Sequence, residues 1–277
     1  EILSEALKTI SKSDEKAHGS GWLIGGESGV GKSRLMEELR TRALVDGVVV
    51  LRGQAVTEGG LPYQLWRDAL RRLVLRVVIS DEEAEILRTI VPDVERLIGR
   101  EIPTTTATTL KTTDERLQLL ILDLFMRASN KQPVLLLLED LQWASPKGEN
   151  LKLLQRLAPL VANTRLMIVG KYRNDEAPNL PEHFEHMHLI QLTRLHQGEI
   201  ARLSASMLGT SGERPDVVNL LQQESEGNVF FLIEVVRALA MDAGSLSDIG
   251  GPDAILITHA HTDHTGALAQ VVRSYPR

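Results

Sequence analysis

The sequence predicts an α/β fold: a parallel sheet sandwiched by helices, then a small all-α domain and a short unrelated tail. Three observations lead there. Short apolar runs at 22–24, 48–51, 134–138, 166–170 and 188–192 alternate with stretches of helical period, the pattern of β-α-β units. The first run opens into a glycine loop and then directly into an amphipathic helix. From residue 199 onward, helical stretches follow one another without a return to strand, which sets them apart from the sheet.

In chain order, Ile2, Leu3, Ala6, Leu7 and Ile10 form one apolar face of a first helix, and 11–21 is a polar connector. After the glycine loop, Leu35, Met36 and Leu39 face one way and Glu37, Glu38 and Arg42 the other, in a helix running to about Val45. Asp46-Gly47 is a turn and Val48 to Leu51 a β-branched strand, which implies a right-handed parallel crossover. Thr57 to Leu61 reads as a loop. Pro62 fits a helix start, with Leu65, Trp66, Ala69, Leu70, Leu73 and Val77 as its stripe. Arg67, Arg71, Arg72 and Arg76 lie mainly off that stripe, as a solvated face or a basic binding face; the acidic chain favours the first.

Residues 81–98 predict a helix broken near Pro92. Pro103 to Thr113, rich in Thr and without period, reads as a surface loop. Thr112 to Glu115 resembles a capping box, opening an apolar helix over Leu117 to Ala128. Ser145-Pro146 has the form of an N-cap followed by Pro, opening a helix to about Val161. The last three helices are Glu199 to Leu208, Pro215 to Glu224 and Phe230 to Ala240. The boundary with the sheet is expected near Leu195.

The chemistry concentrates in Gly26-Glu27-Ser28-Gly29-Val30-Gly31-Lys32-Ser33, which matches G-x-x-x-x-G-K-[ST] at every fixed position. Glycines let the backbone turn tightly and aim successive N–H groups at a phosphate. The helix start adds unpaired donors and a positive dipole end. An ordinary glycine-rich turn is the alternative, and the flanking strand and helix argue for a P-loop. The nucleotide-binding set is then Gly26, Glu27, Ser28, Gly29, Val30, Gly31, Lys32, Ser33 and Arg34. Lys32 reaches the β- and γ-phosphates and Ser33 ligates Mg²⁺.

The apolar run Val134 to Leu138 ends in Glu139-Asp140. In open α/β sheets ligands bind at the carboxyl ends of strands, so acids there can hold Mg²⁺ or polarise an attacking water. Arg173, just past the strand at 166–170, is a candidate to read a γ-phosphate or else a plain surface arginine. His183, His186 and His188 are spaced to share a face, although loop histidines are usually solvated.

Composition sets bounds. The chain has 277 residues, 43% hydrophobic and 25% charged, enough for one large domain or two ordinary ones with ample core. A net charge of −6 gives nothing that globally recruits nucleic acid or anionic membrane. The absence of cysteine excludes disulfides and thiolate metal sites and suits a reducing, cytoplasmic setting. No apolar run is long enough to span a bilayer, and the amino end lacks a signal-peptide layout. Glu1 in place of Met is consistent with an excerpt of a longer chain.

Gly26 to Ser33, Leu136-Leu-Leu-Glu-Asp-Leu-Gln-Trp-Ala-Ser145, Tyr172-Arg173 and Gly227-Asn-Val-Phe-Phe-Leu-Ile-Glu234 together resemble the STAND-type ATPases. These are AAA-related signal-transduction modules of bacterial multidomain regulators. The resemblance covers about 1–249. It implies a nucleotide-binding α/β domain at 1–195, a helical lid at 196–249, and a slow ATP switch gating an attached or associated effector, with possible homo-oligomers. It assigns Glu139 to Mg²⁺, Asp140 to the catalytic base and Arg173 to the γ-phosphate sensor. Two departures stand out. Glu139 replaces the usual Asp at the Mg²⁺ place and Asp140 takes the base place, which points to slow turnover. Gly227-Asn228-Val229 lacks the proline of the lid's Gly-x-Pro.

The tail, 250–277, differs. Three of the chain's eight histidines fall in His259-x-His261-x-Asp263-His264, which resembles the first metal motif of the metallo-β-lactamase fold. The resemblance implies one Zn²⁺ on His259 and His261 and a second on Asp263 and His264. The fold's other ligands are absent here, so the site is incomplete for a catalytic zinc. Three functions follow: a slowly hydrolysing ATP switch, part of a zinc-dependent hydrolase with a regulatory ATPase region, or a non-catalytic ATP-binding scaffold.

Overall fold

The computed structural model describes residues 1–11, 18–57, 61–102 and 114–242. Five strands form a wholly parallel sheet: β1 (Ser20–Gly25), β2 (Val49–Gln54), β3 (Val134–Glu139), β4 (Leu166–Lys171) and β5 (Met187–Gln191), in the order β2-β3-β4-β1-β5. The register pairs Gln54 with Glu139, Leu138 with Gly170, and Ile24 with both Lys171 and Ile190. One row at the carboxyl ends of the strands therefore carries Gln54, Glu139, Lys171 and the entry to the glycine loop.

The central strands are apolar on both faces because both faces are covered. Leu136, Leu138 and Ile168 point into one core, shared with Trp66, Leu70, Phe125 and Leu154. Leu135, Leu137, Met167 and Val169 point into the other, shared with Leu3, Leu7 and Ile10 of α1 (Ile2–Ser11) and Met36 and Leu39 of α2 (Lys32–Val45). The first core also takes α3 (Arg67–Leu73), α4 (Asp81–Leu87), α5 (Val94–Ile98), α6 (Asp114–Lys131) and α7 (Glu149–Leu157). Burying a leucine such as Leu136, fully enclosed, stabilises by about 2 kcal/mol.

Several boundaries differ from the sequence reading. The single helix expected from Pro62 is a 3₁₀ turn (Gln64–Trp66) followed by α3. Tyr63 adopts φ 62°, a left-handed conformation that a continuing helix cannot use. Its hydroxyl donates to Asp114, and Gln118 Nε2 donates to Tyr63 Oη at 2.9 Å. The helix expected from Ser145-Pro146 starts later, at Glu149, because Gly148 N–H bonds Ser145 O at 2.9 Å and closes a turn first. The predicted break near Pro92 separates α4 from α5. Ser80 and Glu83 form a reciprocal capping box at the start of α4 that the sequence reading passed over.

The described chain divides into two compact units. The first is Glu1–Glu27 with Lys32–Leu192, the sheet and its helices. The second takes Ser28–Gly31 with the described residues from Thr193. It contains α8 (Gln197–Leu208), α9 (Pro215–Ser225) and α10 (Val229–Asp242), around a core that includes Ile200, Val218, Leu221, Leu232 and Val236. The expected Thr-rich loop and the metal-like tail lie outside the described residues.

Candidate nucleotide-binding site

The glycine segment forms the connection that its motif requires. β1 ends at Gly25, the loop turns through 26–31, and α2 begins at Lys32. Gly29 and Gly31 have φ of 82° and 105°, conformations that a side chain would strain. The first turn of α2 carries no acidic side chain, so no residue of its own neutralises its positive dipole end.

Lys32 is 8% exposed. Its Nζ donates to the carbonyl oxygens of Gly26 and Glu27, each at 2.6 Å. Burial, and then the charge of Arg173, hold its pKa below the ordinary 10.5. Arg173 follows the end of β4 by two residues. Its guanidinium meets Glu176 at 2.6 Å, and its backbone N–H donates to Gln142 Oε1 at 3.2 Å. Gln142, three residues beyond β3, thereby fixes the chain beside Arg173; its own amide nitrogen is buried with no partner among the described residues.

The two acids at the end of β3 are placed differently from each other. Asp140 has φ 57° and ψ 41°, and its Oδ2 accepts from Gln54 Nε2 at 2.8 Å. Glu139 accepts from Arg52 through one oxygen and from Lys171 Nζ through the other at 2.8 Å. Burial pushes the Glu139 carboxyl pKa up, but the hydrogen bonds and charges of Arg52 and Lys171 outweigh it and hold it below the ordinary 4.5.

Lys171 is the residue the sequence reading missed. It is the last residue of β4, with a side chain 9% exposed. Besides Glu139, its Nζ donates to Ser33 Oγ at 2.9 Å and lies 3.7 Å from Asp140 Oδ1. A divalent cation held by Ser33 and Glu139 would have to occupy the space of this ammonium. Each unit of like charge 4 Å away costs about 4 kcal/mol at an effective dielectric near 20. As arranged, these residues do not fit a Mg²⁺ ion.

Within the second unit, Asn228 Nδ2 donates to Ser28 O at 2.9 Å, and Phe230 N–H to Gly29 O at 3.0 Å. In the first unit, a cavity of about 440 Å³ beside α2 is lined by Ile2, Leu3, Leu35, Leu39 and Ile190, with Glu1, Ser4, Glu38 and Arg42. His188 packs its ring against Trp22 at 4.6 Å. Among the described residues no group of three or more histidine, aspartate or glutamate side chains can hold a metal. His259, His261, Asp263 and His264 lie outside them.

No curated protein matches the chain. Among solved structures it is similar to AMPPCP-bound DnaA from Aquifex aeolicus, at 17% identity and a TM-score of 0.48, covering 89% of this chain and 61% of that one. It is similar at 11% identity and a TM-score of 0.47 to the HORMA:CdnC:Trip13 complex from E. coli MS115-1, covering 99% and 87%. A DNA replication initiation factor matches at 18% identity and a TM-score of 0.45, covering 88% and 60%. The chain thus spans about three fifths of the length of the first of these. Residues 246–276 match the model of the metallo-beta-lactamase superfamily. Residues 2–169, more than half of the chain, match the model described as AAA ATPase domain, and they include the glycine loop, α2, and the acids that end β3; the chain belongs to that family.

Proposed function

We propose that the chain is an ATP-binding, slowly hydrolysing signal-transduction switch of the STAND type, gating an attached effector or an assembly. The observation that carries the reading is the buried Lys32 at the start of α2, resting on the carbonyls of its own loop at 2.6 Å. A triphosphate offers that ammonium better acceptors. Backbone N–H groups from Gly29 to Ser33, with Arg34 in the first helical turn, take the phosphate oxygens, and Lys32 leaves Gly26 O and Glu27 O for the β- and γ-phosphates. Asp140 orients the attacking water, and Arg173 draws charge from the γ-phosphate as the bond to the β-phosphate oxygen breaks. The apolar cavity beside Leu35 and Leu39 suits a planar base.

Family membership implies ATP and usually Mg²⁺; the arrangement of Ser33, Glu139 and Lys171 does not fit that metal as it stands. The proposed division is a nucleotide-binding domain at 1–195, a lid at 196–249 and a metallo-β-lactamase-like fragment at 250–277. Effector domains, a homo-oligomer and a cytoplasmic setting belong to the same reading. Among the described residues, no helix is long and apolar enough to cross a membrane.

A second reading, the non-catalytic scaffold, is favoured by the occupation of both acids: Glu139 by Arg52 and Lys171, Asp140 by Gln54. Phosphate release from ATP by wild type and Asp140→Asn separates the two. The switch requires slow release that the variant loses; ATP binding with no release from either chain establishes the scaffold. A zinc hydrolase rests on the similarity of 246–276 alone. Metal analysis of wild type and His261→Ala tests it, and a chain that purifies without zinc counts against it.

A further inference from the structure

Among the cations at the carboxyl edge of the sheet, two belong to the loop-and-sensor pattern. Lys32 and Arg173 were expected. Lys171 was not, and it lies against both groups that a phosphate-loop metal would use: 2.9 Å from Ser33 Oγ and 2.8 Å from Glu139 Oε2. β4 lies between β1 and β3, so its last side chain emerges between the loop and the acids. Arg52, from β2, already pairs with the other oxygen of Glu139. A carboxylate answered by two cations has little charge left for a dication. Ser33 Oγ, accepting from an ammonium, directs a lone pair where it would otherwise meet a metal.

We propose that Lys171 takes the place of Mg²⁺ in this site, so that ATP binds to the chain without a divalent cation. The inference rests on the reading of 26–33 as a nucleotide site. Lys171 Nζ keeps one hydrogen on Glu139 and turns the other two, one of them now on Ser33, onto the β- and γ-phosphate oxygens. It supplies one positive charge where the metal supplies two, with Lys32 and Arg173 making up the remainder. Three donors on a tethered ammonium suffice for such a bridge. The arrangement also accounts for the glutamate at this position: its longer side chain reaches an ammonium on the neighbouring strand. It favours holding ATP over cleaving it, because a single charge polarises the γ-phosphate less than a dication does.

The test is calorimetric titration of ATP into the full chain, in Mg²⁺ and separately in EDTA, for wild type, Lys171→Thr, Lys171→Met and Lys32→Ala. Wild-type affinity should agree between the two buffers within about threefold, and the two Lys171 variants should lose at least about tenfold in EDTA and recover in Mg²⁺. Circular dichroism confirms that each variant is folded, and the two replacements differ enough in size that one misfolding leaves the other. A second readout is Mn²⁺ binding to the ATP complex by electron paramagnetic resonance: wild type should add no protein ligand to the Mn²⁺–ATP spectrum, and Lys171→Thr should add one. Wild-type affinity that falls tenfold or more in EDTA overturns the proposal while leaving the nucleotide site intact. Lys171 variants indifferent to the buffer overturn it as well. Absence of ATP binding in both buffers, or Lys32→Ala binding as wild type does, removes the nucleotide site itself and the proposal with it.

Discussion

Two stretches of the same sheet edge carry the site, and they differ in how their residues meet. At the end of β1, the proposed phosphate contacts lie within eight consecutive residues, 26–33, with backbone groups as the main donors. At the ends of β3 and β4, the working groups are side chains brought together across the chain: Glu139 and Lys171 from adjacent strands, Ser33 from 138 positions away. The first stretch depends on conformation and tolerates a change of side chain only where φ permits. The second depends on charge balance, and a single substitution at Arg52, Glu139 or Lys171 can reset it.

The largest expected effect tests the first stretch. Lys32→Ala should weaken ATP at least about a hundredfold in equilibrium titration, because it removes the ammonium that rests on Gly26 O and Glu27 O and would move to the phosphates. Within the loop, Gly29→Ala should be worse than Gly31→Ala. Both positions carry positive φ, a strain of about 1–2 kcal/mol for alanine, but a Cβ at Gly29 would also run into the side-chain amide of Asn228, whereas one at Gly31 meets nothing among the described residues. Chemical denaturation together with ATP titration compares the two. Equal effects would mean that Asn228 does not constrain the loop.

The second stretch yields smaller changes. Glu139→Gln should destabilise the chain by about 2 kcal/mol in urea unfolding, since it leaves Lys171 buried against a neutral partner, with Asp140 at 3.7 Å as partial compensation. Arg173→Ala should narrow the preference for ATP over ADP by about tenfold, measured as a ratio of affinities, and leave folding unchanged. Smallest is the response to acid. The folded Glu139 carboxyl holds its proton more weakly than the unfolded chain does. Its contribution to stability is therefore present above the unfolded value near 4.5 and disappears as pH falls through the lower folded value. Glu139→Gln should flatten that part of the stability profile; an unchanged slope would mean that other carboxylates account for it.

The same contrast explains what could be read from the sequence. The loop, its strand and its helix follow from local pattern, and so do the apolar runs of β3 and β4, whose leucines, isoleucines and valines feed two cores on opposite faces. Helix starts were less legible. Tyr63 and Gly148 each divert the chain through a local conformation or turn that apolar periodicity does not encode. Lys171 was passed over because in sequence it is only the first polar residue after an apolar run. Its meaning comes from strand order, which places β4 between the loop strand and the acid-bearing strand. A charged residue ending a central parallel strand, in a chain with a phosphate loop, was the available signal.

The most direct test is a structure of the full chain with ATP. The β-phosphate should lie within hydrogen-bond distance of the backbone N–H groups from Gly29 to Ser33, with Lys32 Nζ moved from Gly26 O and Glu27 O onto phosphate oxygens. Nucleotide bound elsewhere, or Lys32 still resting on its own loop with ATP present, would contradict it.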